Sequence, residues 1–304
     1  MADNVRRFRT GDGFYIPAPQ SQPAPSPIPP ALRVNGRVER SSVRRHELER
    51  VSASRWPPVG HRTVLVIGGG SVGSHVAYGL AQLNYRLVVM DGELVEPSNI
   101  EGGRSAFLPE TIGMHKPTAL AHTLRRLGLE VEIVTLCRKT QDFTDQEIRA
   151  LAAQSSAVLA SFDEPEQLLR INRLLYSLCP VVYPFFHQGA RSGTVVGTAP
   201  GRSPCFACSM GIRAPDQLRT LHAEPGFPPD IRRLADMAVR VISWLCAEQG
   251  SEAAELLDPS RNIIFLENRP SGSAQRALAV RLLEADRNPE CDVCSVNSSS
   301  AKGR

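Results

Sequence analysis

The sequence predicts an α/β protein: a doubly wound, mostly parallel, Rossmann-like sheet with a mixed or antiparallel C-terminal extension and a four-cysteine zinc staple. Three observations predict it. From Thr63 onward, short continuous apolar runs alternate with helix-length segments, the pattern of parallel strands covered on both faces. The first run ends in Gly68-Gly69-Gly70 and the second in Asp91, the punctuation of a phosphate-binding strand–turn–helix unit. Beyond residue 180, strand-like runs follow one another without helices between them, so the later strands belong to a mixed or antiparallel part.

The elements follow in order. Residues 1–40 read as a Pro-rich leader, with seven prolines between Pro17 and Pro30, too poor in apolar side chains to build a core. Residues 41–62 are basic, and 42–56 suit a short amphipathic helix capped by Ser41-Ser42. The main domain spans 63–298. It opens with a strand at 63–67 (TVLVI), a helix over 71–83 and a strand at 86–90 (RLVVM). A helix over 117–127, a strand at 131–136 (VEIVTL), a helix over 144–153 and a strand at 157–161 (AVLAS) continue the alternation. Strands are then expected at 181–186 and 193–198, a Pro- and Gly-rich loop over 209–231, a helix over 232–248, and strands at 262–266 and 276–282. Residues 299–304 read as a disordered tail.

Composition excludes several classes. The chain has 304 residues, 42% of them apolar and 22% charged, enough to bury a core. Its net charge is +4, from 35 basic and 31 acidic residues. Residues 1–62 carry eleven Arg and five acids, +6, which leaves −2 for the rest. The body is therefore not a basic nucleic-acid binder. No apolar run reaches the roughly 18 residues of a membrane span, and no secretory signal opens the chain. Seven cysteines, an odd number holding two tight pairs, suit a reducing cytoplasm and a metal site better than a disulfide framework.

Gly68, Gly70 and Gly73 spell G-x-G-x-x-G between a strand and a helix. Glycines allow a sharp turn and close approach of backbone to phosphate, and the helix N-terminus offers free N–H groups. Asp91 ends the next strand, where a carboxylate can accept from ribose hydroxyls. This alone says nucleotide. NAD-dependent redox chemistry would use the same turn, but it explains neither the polar run after Asp91 nor the cysteines. Those are Cys205-Phe206-Ala207-Cys208 and Cys291-Asp292-Val293-Cys294, two knuckles that together supply four thiolates for tetrahedral Zn²⁺. With four thiolates the metal is structural and staples the C-terminal segment onto the domain. A C-x-x-C redox pair is the competing reading.

Four further features stand in order along the chain: Asp91-Gly92-Glu93-Leu94-Val95-Glu96-Pro97-Ser98-Asn99, Gly113-Met114-His115-Lys116, Asp163 at the end of the fourth strand, and Asn172 on the helix after it. With the glycine turn and the cysteine pairs, these make residues 60–298 resemble the ThiF/MoeB/HesA superfamily, relatives of the ubiquitin-activating enzymes. The resemblance implies an ATP-dependent adenylyltransferase that activates the C-terminal carboxylate of a ubiquitin-like or sulfur-carrier protein and releases pyrophosphate. It implies ATP, Mg²⁺ and Zn²⁺, a homodimer, and handover to a partner such as a conjugating enzyme in a bacterial conjugation system. Lys116 and Arg104 would neutralise the phosphates, Asp163 would hold Mg²⁺, Asp91 the ribose, and Asn99 the phosphates or the incoming carboxylate. Cys205, Cys208, Cys291 and Cys294 would hold zinc.

Two departures from the family pattern stand out. Arg104 lies five residues beyond Asn99, behind Gly102-Gly103, where the family has Asn-x-x-Arg. Residues 209–235 contain no cysteine, although thioester-forming relatives carry one in that region. Other residues keep two readings each. Asp163 could cap the next helix, and Asn172 could pack or act. His187 is read as locally hydrogen-bonded or catalytic, with its apolar neighbours Phe185 and Phe186 a candidate part of a groove admitting a peptide tail, Cys246 as core, and Cys137 and Cys179 as buried or as thioester acceptors. Among Arg44, Arg45, Arg50 and Arg55, one could complete the partner subunit's site. Adenylylation of a small molecule, a peptide or a tRNA base, and a non-catalytic dimeric scaffold, remain as alternatives.

Overall fold

The structure, a computed structural model, describes residues 33–34, 37–38, 62–187, 190–212, 226–247, 261–268 and 278–295. The expected leader (those four residues aside), the basic helix over 42–56 with its arginines, and the tail over 299–304 lie outside the described residues. Within the leader, β1 (Arg33–Val34) pairs antiparallel with β2 (Arg37–Val38). An Asn-Gly dipeptide lies between them in the sequence, a strong hairpin signal. Residues 1–44 and 45–304 form separate units.

The second unit carries an eight-stranded sheet. Strands β3 (Thr63–Ile67), β4 (Arg86–Met90), β5 (Ile133–Leu136), β6 (Ala157–Ala160) and β7 (Val181–Phe186) are parallel. Strands β8 (Ser192–Thr198), β9 (Ile263–Glu267) and β10 (Val280–Leu283) add on antiparallel. The order is β10-β9-β8-β7-β6-β3-β4-β5. The chain thus runs outward from β3 to β5 and returns on the other side of β3 with β6. Ligands of open α/β sheets bind at such a reversal, beyond the C-terminal strand ends.

The helices are α1 (Ser71–Gln82), α2 (Pro97–Ile100), α3 (Lys116–Arg126), α4 (Asp145–Ala153), α5 (Pro165–Leu175), α6 (Phe206–Ser209) and α7 (Pro228–Leu245). Because side chains alternate along a strand, β3 feeds two cores. Val64 and Val66 join Val76, Leu80, Leu120, Leu124, Leu234 and Ala238 from α1, α3 and α7. Leu65 and Ile67 join Ile148, Leu168, Ile171 and Phe206 from α4, α5 and α6. Helices α1 and α7 pack closely at Gly79, where an added Cβ would stand 2.9 Å from Val239 Cγ2.

Among the described residues, the predicted elements are present with shifted ends. The one substantial difference is at α7, which begins at Pro228 inside the stretch expected to be loop over 209–231. Proline is disruptive inside a helix but suits its first turn, where the N–H has no intrahelical partner. The Pro228-Pro229 pair that reads as a loop signal is a helix start. No helix among the described residues is long and apolar enough to cross a membrane.

Candidate functional site

The three motif glycines serve three different needs. Gly68 leaves β3 with φ +90°, and a Cβ there would stand 2.1 Å from the carbonyl oxygen of Ser161. A Cβ on Gly73 would stand 1.9 Å from the carbonyl oxygen of Gly68. These two positions exclude any side chain. Around Gly70 there is nothing within 4 Å of the corresponding point, so its surface is open to the cleft. Gly70 caps α1, whose first residues Ser71 and Val72 line the same cleft, where the helix's first N–H groups lack intrahelical partners.

Asp91 is buried and holds this turn. Its Oδ2 accepts from Gly69 N–H at 2.7 Å and its Oδ1 from Glu93 N–H at 2.8 Å. Each oxygen keeps a lone pair for a ligand. Lys116, the first residue of α3, is also buried, and its ammonium pairs with Glu93, whose backbone carbonyl also accepts from the Lys116 N–H at 2.9 Å. The ammonium's hydrogen bond holds the Glu93 carboxyl below its ordinary range. Asn99 spends its Oδ1 on the Glu96 N–H, at 2.9 Å, in a capping box at the start of α2. Its amide N–H groups remain available.

The two-residue insertion before Arg104 is absorbed locally. Gly102 (φ +64°) and Gly103 (φ +74°) both take the left-handed conformation that favours glycine. The loop thereby returns Arg104 to the wall that Asn99 and Lys116 also line. Arg104 Nε is buried with no partner among the described residues. An orphaned guanidinium nitrogen beside a glycine turn fits a ligand that brings its own anionic oxygens.

Asp163 lies three residues beyond β6, facing the glycine turn. Glu164 comes next, and burial, joined by the charges of Asp163, Glu93 and Asp91, pushes its carboxyl up. Beside these acids Glu164 ionises less readily unless a cation joins it. Their oxygens suit Mg²⁺, a hard ion that keeps waters and takes one or two carboxylates. All these groups line one cleft of about 320 Å³. Its other wall is apolar: Phe162, Leu168, Pro184, Phe185, Phe186 and Ile231.

The four paired cysteines meet in a second place, under α6. Their sulfurs all lie within 4.8 Å of one another, with Cys205 to Cys291 at 3.7 Å and Cys208 to Cys294 at 3.5 Å. Ligands about 2.3 Å from a tetrahedral zinc stand about 3.8 Å apart, so the spacing and the donor set fit Zn²⁺. The backbone N–H groups of Asn288 and Val293 approach Cys208 and Cys291 sulfur at 3.4 Å, as outer-shell donors to thiolates do. Asn172, with its two readings of packing and function, supports this knuckle. It is buried on α5, and its Oδ1 accepts from Phe206 N–H at 3.0 Å, capping α6.

The other candidates resolve plainly. His187 Nε2 bonds Thr194 Oγ1 at 2.7 Å, and its ring lies between Phe185 and Phe265. Cys179 and Cys246 are buried, and burial pushes both thiols up to about 12. Cys137 is half-buried beyond β5, 3.5 Å from Thr118 Oγ1. Sequence reasoning missed Glu93 as the partner of Lys116, Glu164 beside Asp163, and the combined apolar wall. Glu93 was legible as the next acid on the same side of an extended segment as Asp91. Of the wall only Phe185-Phe186 was legible, because the whole joins side chains from three distant segments, 162–168, 184–186 and Ile231.

The chain belongs to the ThiF family, whose family model matches residues 46–291. None of the curated proteins matches it. Among solved structures, E. coli MccB with ATP is 17% identical with a TM-score of 0.59, covering 78% of this chain and 68% of that one. The microcin C7 biosynthetic enzyme MccB in complex with N-formylated MccA is 15% identical with a TM-score of 0.60, covering 77% and 67%. At these identities the likeness is one of fold.

Proposed function

We propose that this protein adenylylates the C-terminal carboxylate of a peptide chain, with ATP as donor and pyrophosphate as leaving group. One observation carries the reading: Arg104, Lys116 and Asp163, far apart in sequence, line one cleft around the open glycine turn at the sheet's reversal. A carboxylate oxygen attacks the α-phosphorus, the bond to the β-phosphate oxygen breaks, and an acyl-adenylate and pyrophosphate result. Both reactants are anions, so the site must neutralise charge and hold them in line. Arg104 and Lys116 supply the cations. Lys116 exchanges part of its pairing with Glu93 for phosphate oxygens. Asp91, fixed by two backbone N–H groups, presents its free lone pairs to the ribose, and Asn99 donates from its amide. Asp163, with Glu164 beside it, would hold Mg²⁺, which when bound screens the charge on the pyrophosphate. Zinc at Cys205, Cys208, Cys291 and Cys294 is structural.

The acceptor is the finer part of the reading. The apolar wall suits an extended tail passing Phe185 and Phe186 to reach the nucleotide. A ubiquitin-like or sulfur-carrier protein offers such a tail. So does a short peptide, and the MccB structures with MccA as ligand favour keeping it in view. ATP–pyrophosphate exchange tests both. Exchange stimulated by a protein ending in a flexible small-residue tail, and lost when the tail is amidated, supports the first acceptor. Exchange with a short peptide supports the second. Absence of ATP binding altogether would leave only a scaffold of the same fold.

A further inference from the structure

We infer that Ser74 is a positioning residue that latches the Arg104 loop to helix α1, so that the guanidinium is set in place before the nucleotide arrives. This rests on the nucleotide reading of the cleft. Ser74 lies in the first turn of α1, one residue after Gly73, and is fully buried. Its Oγ–H donates to the Ser71 carbonyl at 3.1 Å, which orients the hydroxyl and leaves its lone pairs free. One of them accepts from Ala106 N–H at 3.0 Å, a contact spanning 32 residues. The hydroxyl therefore ties together the two segments that hold the phosphates: the glycine turn and the Arg104 loop.

The loop has a reason to need a latch. Gly102 and Gly103 are the residues with the greatest backbone freedom, and both sit at positive φ. They shape the loop but do not hold it. It is held by the Ala106 N–H on Ser74, by the buried Phe107, and by His75, which lies against the backbone of Gly103 and Arg104. Arg104 Nε is buried and has no partner among the described residues to hold it. Its placement must be maintained by the loop, and a preorganised cation stabilises developing charge more effectively than one that must be ordered during the reaction.

The test is nucleotide binding by the full chain, measured by calorimetry with Mg-ATP and with adenosine. Ser74→Ala deletes the acceptor and suits a helix. Loss of one buried hydrogen bond predicts about tenfold weaker Mg-ATP binding, with adenosine binding unchanged, because only the phosphates meet Arg104. In an Arg104→Ala background, Ser74→Ala should then change Mg-ATP binding less than about twofold. If the alanine variant does not fold, Ser74→Cys keeps the shape while weakening the acceptor, and the same comparison applies. Equal losses for ATP and adenosine, or multiplying effects of the two substitutions, would overturn the latch while leaving the nucleotide site standing. Wild-type protein that binds no Mg-ATP would overturn both.

Discussion

Gly68 and Ser161 touch across the sheet's reversal: a Cβ on the glycine would stand 2.1 Å from the serine carbonyl oxygen. The turn after β3 and the strand end that leads to Asp163 are thus in backbone contact. What binds the glycine turn and what binds Asp163 share one wall, and neither can move without the other. Gly68→Ala should therefore cost both stability and nucleotide binding. The positive φ and the clash together predict a loss of about 2–4 kcal/mol, read as a lowered Tm. A variant with unchanged Tm would mean that the two strand ends separate easily.

Asp163→Asn keeps size and hydrogen bonding but removes the charge. It should lower pyrophosphate exchange by about 10²–10³-fold with little change in Tm, because the residue is exposed and bears no structural bond among those described. The decisive comparison is the dependence on Mg²⁺ concentration, which should shift to higher values. Exchange near the wild-type rate in a folded variant would remove Asp163 from the reaction.

Zinc should be present at one equivalent per chain and absent from Cys291→Ser. Metal analysis of freshly purified protein reads this directly. Part of the binding energy is folding energy, so the variant should also melt lower and lose order at its C-terminal segment. Metal-free protein with an unchanged melt would refute the staple.

Asn172→Ala should weaken the same knuckle from outside it. The substitution leaves the Phe206 N–H buried without an acceptor, a cost of about 1–2 kcal/mol that lowers Tm by about 2–8 °C in a domain of this size. Zinc release to a chelator should quicken in parallel. Unchanged release would reduce Asn172 to a packing residue.

Whether a feature is legible in the sequence depends on how it is encoded. Strand β3, the glycine turn and the two cysteine pairs are local: five apolar residues, three glycines and two short spacings state them without reference to the rest of the chain. The start of α7 misled because proline carries opposite meanings inside a helix and at its first turn. The roles of Asn172 and Ser74 are invisible locally, since each is defined by a partner 34 or 32 residues away. Arg104 was legible as a candidate, but its shifted spacing from Asn99 left its placement open. Only the φ values of Gly102 and Gly103 show how a longer loop still delivers it to the cleft.

After activation, the acyl group should not be held on this chain as a thioester. Such a bond needs a thiolate within reach of the acyl-adenylate. All seven cysteines are accounted for by position. Four meet in the cysteine cluster, where the proposed zinc would take their sulfurs. Cys179 and Cys246 are buried, and with their thiols pushed up to about 12 they stay protonated and unreactive near neutral pH. Cys137 alone is neither clustered nor buried, and it lies beyond β5, the sheet-edge strand, rather than in the cleft lining. Transfer should therefore pass directly from the adenylate to a sulfur or amine of another molecule. Incubation with Mg-ATP and the acceptor identified by exchange, followed by a non-reducing gel, should show no adduct of summed mass. A cysteine-directed alkylating reagent should label Cys137 first and leave exchange intact. An adduct cleaved by thiol and absent from Cys137→Ala would overturn the prediction and make that residue the acceptor.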